Sequence, residues 1–240
     1  MANKILKYDC QNMSSFKVGK FGFKKAELVS LGKKIKQINV KLHNQADSPN
    51  LSFRKLLYDV ASAKLIIKIV KQLQIKFDTL VVVGVGGSNL GAKTIVNGLK
   101  PGQNKVYFTG DTTDPQTMKI LLDKLNLKKT LFYVVSKSGD TLETMVDFLY
   151  LRDQVIKKVG LKNQAKHFLI TTNWQKGRLL KIARKEGYAL LAHYPGGGRF
   201  SALSVNGLLP AAWLNINCLL YTSDAADDLL CVDLGGRRII

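Results

Sequence analysis

Between residues 80 and 192 the sequence alternates short, apolar, β-rich runs with longer helical segments, and this alternation restricts the possible folds more than any other feature. The β-rich runs occupy residues 80–85, 105–109, 131–135, 168–171 and 188–192. Helical segments separate or follow them at residues 91–99, 115–125, 141–159, 177–186 and 201–214. Because strands that alternate with helices form parallel sheets buried on both faces, we predict an α/β fold with a parallel sheet flanked by helices on both faces. Such folds bind ligands at the carboxyl ends of their strands.

A Lys-rich N-terminal arm, residues 1–50, precedes the predicted sheet. Apolar residues recur through it at helical spacing, at Leu28, Leu31, Ile35, Ile38 and Leu42. Its last residues, 44–50, have the polar, Pro-containing composition of a linker. Residues 53–73 suit one long amphipathic helix. We therefore expect a helical arm with a linker over residues 1–50 and one domain over residues 51–217.

The composition changes abruptly after Asn217. Residues 218–240 contain no Lys, two Arg and four Asp, whereas the preceding residues are strongly basic. The run at 218–228, CLLYTSDAADD, resembles the translation of a transposon-end sequencing adapter. We expect residues 218–240 to be a non-native tail, with the natural protein continuing beyond Asn217. The alternative is a genuine acidic C-terminal segment.

The composition limits the classes of partner and compartment. The net charge is +20, but 30 of the 37 basic residues are Lys, scattered along presumed helix faces. Because base readout and tight phosphate contacts favour Arg, we expect a Lys-biased surface and no nucleic-acid partner. No apolar stretch is long enough for a membrane span, so no membrane partner is expected. Three cysteines cannot form a disulfide framework, which predicts a cytoplasmic protein.

The first candidate site is the loop at residues 84–91, GVGGSNLG, directly after the first predicted strand. Glycines let the backbone approach a ligand closely, and the start of the following helix offers free amides to a phosphate. The dinucleotide pattern Gly-x-Gly-x-x-Gly fails because position 89 is Asn. A phosphotransferase P-loop fails because Ala92 precedes Lys93, which turns that lysine by about 100° around the helix. A ligand-free strand-to-helix turn is the alternative.

The second candidate loop, at residues 136–144, reads SKSGDTLET and also links a predicted strand to a long helix. Four hydroxyl groups and a helix start form a set of donors suited to a phosphate dianion. Asp140 conflicts with an anion, so we expect it to point away or to cap the helix together with Glu143. A simple capping box without a ligand is the alternative. A third segment, GGGRFSALS at residues 196–204, can present Arg199 to an anionic intermediate at a strand end.

Together, the three segments resemble the phosphoglucose isomerase family, specifically its first sugar-isomerase (SIS) domain. That family has a Gly-x-Gly-Gly-Ser-x-Leu-Gly loop, a Ser-Lys-Ser/Thr-Gly-x-Thr-x-Glu loop and a Gly-Gly-Arg-Phe/Tyr-Ser segment in the same order. The resemblance covers roughly residues 50–217 and implies a doubly wound SIS-type fold. The residues implied to hold the 6-phosphate of the sugar are Gly87, Ser88, Ser136, Lys137, Ser138 and Thr141. Arg199 is implied as the catalytic residue that stabilises the enediolate, and Glu143 as a neighbour of the sugar.

The resemblance also implies the reaction and its partners. The expected reaction is the aldose–ketose interconversion of glucose 6-phosphate and fructose 6-phosphate, without a metal or organic cofactor. The full-length enzyme is expected to be a homodimer. The family's general base, and the histidine and lysine that accompany it, lie further along the chain and have no match in residues 1–240. The chain as written is therefore expected to be nearly or wholly inactive. The alternative is a non-catalytic SIS module that senses a sugar phosphate.

Overall fold

The computed structural model describes residues 11–45 and 52–219, and a parallel sheet lies at its centre. The strands are β1 (Thr79–Val83), β2 (Val106–Thr109), β3 (Thr130–Ser136), β4 (Phe168–Thr172) and β5 (Ala189–Ala192). They form one five-stranded sheet in the order β2-β1-β3-β4-β5, and every pairing is parallel. The five predicted strands are thus confirmed, with ends that differ from the prediction by at most two residues.

The described residues contain nine α-helices, two of them only four residues long. They are α1 (Ser15–Val18), α2 (Lys25–Asn44), α3 (Val60–Gln74), α4 (Leu90–Leu99), α5 (Pro115–Asp123), α6 (Leu142–Val159), α7 (Leu161–Gln164), α8 (Arg178–Glu186) and α9 (Val205–Trp213). Across the described ranges, no helix has the length and apolar character needed to cross a bilayer.

Two hydrophobic layers cover the two faces of the sheet. Side chains alternate along each strand, so Leu80 and Val82 pack with α3, α4 and α9 in one layer. Val81 and Val83 pack with α5, α6 and α8 in the other. All seven residues of β3 are buried, as expected for the central strand of a sheet that is covered on both faces. The predicted parallel sheet with helices on both faces is therefore confirmed.

The helix predicted over residues 53–73 is wrong in its first part. Residues Ser52–Tyr58 form a 3-10 helix, and α3 begins only at Val60. The break falls at Asp59, whose backbone is not helical and whose side chain accepts a hydrogen bond from the amide of Ser62. The carboxylate of an aspartate accepts hydrogen bonds from nearby backbone amides. It therefore favours the cap position, where those amides have no helical partner, over the helix interior.

In the arm, α2 includes all five apolar residues of the predicted stripe. Two of them, Leu31 and Ile38, remain 49% and 52% exposed. Linker residues 46–50 lie outside the described residues, as do 220–240 of the expected non-native tail. Cys218 and Leu219 are described, and both pack against the layer formed with α3 and α9. The boundary after Asn217 stays a prediction.

Candidate functional site

The two predicted ligand loops leave neighbouring strands at the same edge of the sheet. Val83, the last residue of β1, lies opposite Val134 of β3, and β3 ends two residues later at Ser136, so the two loops begin close together. After β1 the chain crosses to β2 through α4 on one face, and after β3 it crosses in the other direction to β4 through α6 on the other face. Adjacent loops that leave in opposite directions open a crevice, which is where doubly wound sheets of this strand order bind ligands.

Hydrogen bonds within the loop after β1 fix its conformation. Gly86 has a φ of 57°, and residues Gly86–Ser88 form one 3-10 turn closed by a hydrogen bond from the amide of Asn89 to the carbonyl of Gly86. The Asn89 side chain is fully buried and donates from Nδ2 to the carbonyl of Gly84 at 3.0 Å and to Asp111 Oδ1 at 3.2 Å. Asn89, which excluded the dinucleotide motif, therefore stabilises a different turn.

Three hydroxyl groups come together in the loop after β3. Thr141 Oγ1 lies 3.2 Å from Ser136 Oγ and 3.4 Å from Ser138 Oγ. The amide of Gly139 donates to Ser136 Oγ at 3.1 Å, which closes the loop around this group. Ser136 is buried and Ser138 is exposed, so the hydroxyls extend from the strand end to the surface. An anion placed here would meet donors on one side and solvent on the other.

Helices α4 and α6, which follow these loops, start without a capping side chain. Asn89 and Thr141 occupy their N-cap positions, but neither side chain makes a cap hydrogen bond. By contrast, Asp59, Asp114 and Ser204 accept hydrogen bonds from the first turns of α3, α5 and α9. Unpartnered amides and the positive end of the helix dipole together favour an anionic ligand. Among these five helices, the two uncapped starts are those beside the crevice.

Asp140 does not cap α6, so the alternative of an Asp140–Glu143 capping box is wrong. Its Oδ1 accepts a hydrogen bond from the amide of Arg178 at 3.0 Å and lies 3.4 Å from the guanidinium Nε of the same residue. The carboxylate thus caps the start of α8. This contact turns the negative charge of Asp140 towards Arg178, which resolves its conflict with a phosphate in the same loop.

We predict that the charge of Asp140 can be removed without loss of anion binding. Asp140→Asn keeps an oxygen for the Arg178 amide, so its free energy of unfolding should stay within about 0.5 kcal/mol of the wild type. Asp140→Ala removes the cap and should lower the free energy of unfolding by about 1 kcal/mol. Chemical denaturation measures both changes. Phosphate affinity should be unchanged or higher in Asp140→Asn, and a clear loss of affinity in that variant would contradict this role.

The Arg199 segment lies against both loops. The α-carbon of Gly87 is packed so closely on Gly198 that a Cβ at position 87 would overlap the backbone of Gly198. From the second loop, Lys137 Nζ donates to the carbonyl of Gly196 at 3.0 Å. The exposed Arg199 follows Gly198 directly, in the 3-10 helix Gly198–Phe200. The structure therefore brings the three predicted segments together at one edge of the sheet.

Two of the predicted site residues, Lys137 and Glu143, carry exposed charges. Glu143 lies exposed in the first turn of α6, and the Lys137 side chain is also exposed. Lys93, excluded above as a P-loop lysine, lies 3.6 Å from Asp111.

Asp147 of α6 is a buried carboxyl near the ends of the strands. It accepts a hydrogen bond from Thr109 Oγ1 at 2.7 Å, and burial raises its pKa. Among the described residues, no group of three or more His, Cys, Asp or Glu could hold a metal ion.

Sequence reasoning missed a buried polar group behind the Arg199 segment. His193, Ser201 and Asn206 are buried there and are joined by hydrogen bonds. The available signal was Asn206 itself, the only amide side chain in a helix that is otherwise apolar, VNGLLPAAW. A buried amide needs partners, and these lie 5 and 13 residues away along the chain, a distance that hydrophobic periodicity does not reveal.

Comparison with known proteins gives one consistent family. The family model for phosphoglucose isomerase matches residues 50–229, which extends past Asn217. A glucose-6-phosphate isomerase from Carboxydothermus hydrogenoformans is 34% identical over 227 residues, covering 88% of this chain and 48% of that protein. The enzyme of the same name from Caldanaerobacter subterraneus subsp. tengcongensis is 36% identical over 172 residues, covering 67% of this chain and 38% of that protein. The chain thus spans about half the length of the curated relatives it matches, or less.

Solved structures agree with this comparison. A hypothetical protein from Thermus thermophilus matches with a TM-score of 0.77 at 27% identity, covering 88% of this chain and 52% of that one. A glucose-6-phosphate isomerase from Chlamydia trachomatis matches with a TM-score of 0.55 at 25% identity, covering 73% of this chain and 37% of that one.

Proposed function

The chain belongs to the phosphoglucose isomerase family, and on this basis we propose that it binds a hexose 6-phosphate as part of an enzyme interconverting glucose 6-phosphate and fructose 6-phosphate. In this proposal the phosphate lies in the crevice between the loops after β1 and β3. Its ligands are Gly87, Ser88, Ser136, Lys137, Ser138 and Thr141. The full-length enzyme is proposed to be a cytoplasmic homodimer.

The observation that carries the proposal is the pair of uncapped helix starts at adjacent strand ends. A phosphate dianion placed between α4 and α6 would accept hydrogen bonds from both first turns and from the hydroxyls of Ser138 and Thr141. Hydrogen bonds to a charged group contribute about 1.5–3 kcal/mol each after the loss of water contacts is counted, so a few of them favour binding of the phosphate. Lys137 adds a positive charge while keeping its contact with Gly196, because an ammonium group has three donors.

The position of Arg199 supports a role in the chemical step. Isomerisation removes the proton on C2 and returns a proton to C1, and the intermediate is an enediolate that carries negative charge on oxygen. We assign the Arg199 guanidinium to that charge, since it is exposed beside both phosphate loops. Glu143, in the first turn of α6, is assigned to the neighbourhood of the sugar hydroxyls.

Phosphate recognition is tested by isothermal titration of the purified chain with glucose 6-phosphate and, as a control ligand, glucose. We expect glucose 6-phosphate to bind and glucose not to bind measurably. Thr141→Val removes the hydroxyl shared by Ser136 and Ser138 and should weaken glucose 6-phosphate binding about tenfold. The matched control is Thr117→Val, because the Thr117 hydroxyl contacts Asp114 at the start of α5, whose N-cap is already satisfied. Equal affinity for glucose and its 6-phosphate would overturn the proposal.

We also expect the 240-residue chain to bind the sugar phosphate without interconverting it. The resemblance places the general base in a segment that has no match in residues 1–240, and such groups typically contribute 10²–10⁴-fold to a rate. A coupled assay that detects fructose 6-phosphate formed from glucose 6-phosphate measures this directly. Turnover by the purified chain would contradict the assignment of the base, and reading the gene across codon 217 would show whether a second SIS domain follows.

A further inference from the structure

A chain of hydrogen bonds connects His193 to the phosphate loop through the interior of the domain. His193 lies just after β5, is 8% exposed, and its Nε2 is 3.0 Å from Asn206 Nδ2. The same Asn206 nitrogen donates to Ser201 Oγ at 3.1 Å. The hydrogen bonds therefore link three buried side chains in the order His193, Asn206, Ser201. They come from the end of β5, from α9 and from the turn after Arg199.

The partners fix the protonation state of His193. Its Nδ1 is 2.6 Å from the carbonyl oxygen of Tyr194, which can only accept, so Nδ1 carries the proton. Asn206 Nδ2 can only donate, so Nε2 must be the unprotonated acceptor. His193 is consequently neutral in this arrangement. Burial, the largest cause, and the charge of Lys137 lower its pKa, and together they outweigh the hydrogen bond to the Tyr194 carbonyl, which raises it.

Ser201 connects the buried His193–Asn206 pair to the candidate site through hydrogen bonds. Its hydroxyl donates to the carbonyl of Gly198 at 2.7 Å and lies 3.1 Å from the carbonyl of Gly87. The two carbonyls belong to the Arg199 turn and to the loop after β1, which touch at Gly87 and Gly198. Because Asn206 donates to Ser201 Oγ, the serine proton is directed away from Asn206 and towards these two carbonyls.

We propose that His193 and Asn206 are positioning residues, which hold Ser201 so that the phosphate loop and the Arg199 turn keep one fixed spacing. This inference rests on the proposed function, since the spacing matters only if both segments contact one ligand. Both side chains are buried, and neither is among the proposed phosphate ligands. Their effect is to preorganise two groups of donors that would otherwise have to be ordered when the ligand binds.

The first test separates positioning from stability. Asn206→Ala should weaken glucose 6-phosphate binding about tenfold, since Ser201 loses its orienting donor. The control is Tyr188→Phe, which breaks a buried 2.7 Å hydrogen bond to Gln164 at the opposite end of the sheet and should destabilise the fold without changing affinity. The double variant His193→Phe, Asn206→Leu replaces both partners with apolar side chains. It should recover stability relative to Asn206→Ala but not affinity.

Wild-type affinity in Asn206→Ala, or affinity in the double variant that recovers together with stability, would overturn the inference.

A second readout, hydrogen exchange, needs no ligand. Hydrogen exchange at the amides of Ser88 and Asn89 should be faster in Asn206→Ala and unchanged in Tyr188→Phe. If the wild type failed to bind glucose 6-phosphate, the proposed function would fall. The exchange data would then decide separately whether the network holds the loop, and unchanged exchange would overturn the inference.

The third readout is the pH dependence of the affinity for glucose 6-phosphate. Protonation of His193 would place an Nε2 proton against Asn206 Nδ2, close to the positive charge of Lys137. Because the pKa of His193 is lowered from 6.5, the neutral form and its contribution to stability are present above pH 6.5 and are lost as the pH falls through the lowered pKa. Relative to His193→Phe, wild-type affinity should fall over that range. Parallel pH profiles would contradict the role of His193, because titration of the ligand itself affects both proteins equally.

Discussion

Gly87→Ala is expected to lower the affinity for glucose 6-phosphate by about 100-fold, equivalent to about 2.8 kcal/mol. A methyl group at this position would overlap the backbone of Gly198, which has no flexible side chain to move aside. The loop after β1 and the Arg199 turn would therefore separate, and a ligand held by both would lose at least one charged hydrogen bond on either side. Isothermal titration measures the loss.

The reciprocal substitution provides the control. A Cβ at position 198 would meet only the α-carbon of Gly87 at 3.5 Å, which is ordinary van der Waals contact. Gly198→Ala should therefore keep wild-type affinity within about threefold, although it adds the same methyl group to the same interface. Equal losses in both variants would contradict this account, because they would show that the overlap at position 87 is not the cause of the lost affinity. Equal retention would show that the loop can shift without cost.

Gly207→Ala is expected to lower the free energy of unfolding by about 3 kcal/mol, although it places a better helix former inside α9. The added Cβ would overlap the carbonyl oxygen of Ala202 and lie 3.2 Å from Ile95 of α4. Gly207 is thus the point where α9 passes directly over the turn that follows Arg199. For a domain of this size the melting temperature should fall by roughly 6–12 °C.

Gly98→Ala is the matched control for that variant. Gly98 lies near the end of α4, and nothing is within 4 Å of a Cβ built there. The substitution should raise the free energy of unfolding by about 0.5–1 kcal/mol through helix propensity alone. Thermal and chemical denaturation of both variants give the comparison. Stabilisation by Gly207→Ala would contradict the close packing of α9 on this turn.

The sheet could be predicted from sequence because each strand is a short apolar run bounded by polar or Gly-rich segments. The side chains of β3, buried at all seven positions, are the extreme case. The break at Asp59 could not be predicted from periodicity, because the apolar spacing continues through it. There one capping hydrogen bond to Ser62 decides where the helix starts.

In the candidate site, too, some features could be predicted from sequence and others could not. The two loops could be predicted because their glycines and hydroxyls are contiguous in sequence and follow apolar strands. The partner of Asp140 could not be, because Arg178 lies 38 residues away on another helix. The link from Asn206 to His193 spans 13 residues and depends on the packing of α9 against the end of β5. Such contacts come from tertiary structure, and local pattern carries no record of them.

The central claim is that one phosphate contacts the loops after β1 and β3 together. Titrating ¹⁵N-labelled chain with glucose 6-phosphate tests it most directly, by following the amide resonances of residues 86–90 and 137–144. We expect both sets to shift along a single binding curve with one Kd. Shifts confined to one loop, or two curves with different affinities, would contradict the claim.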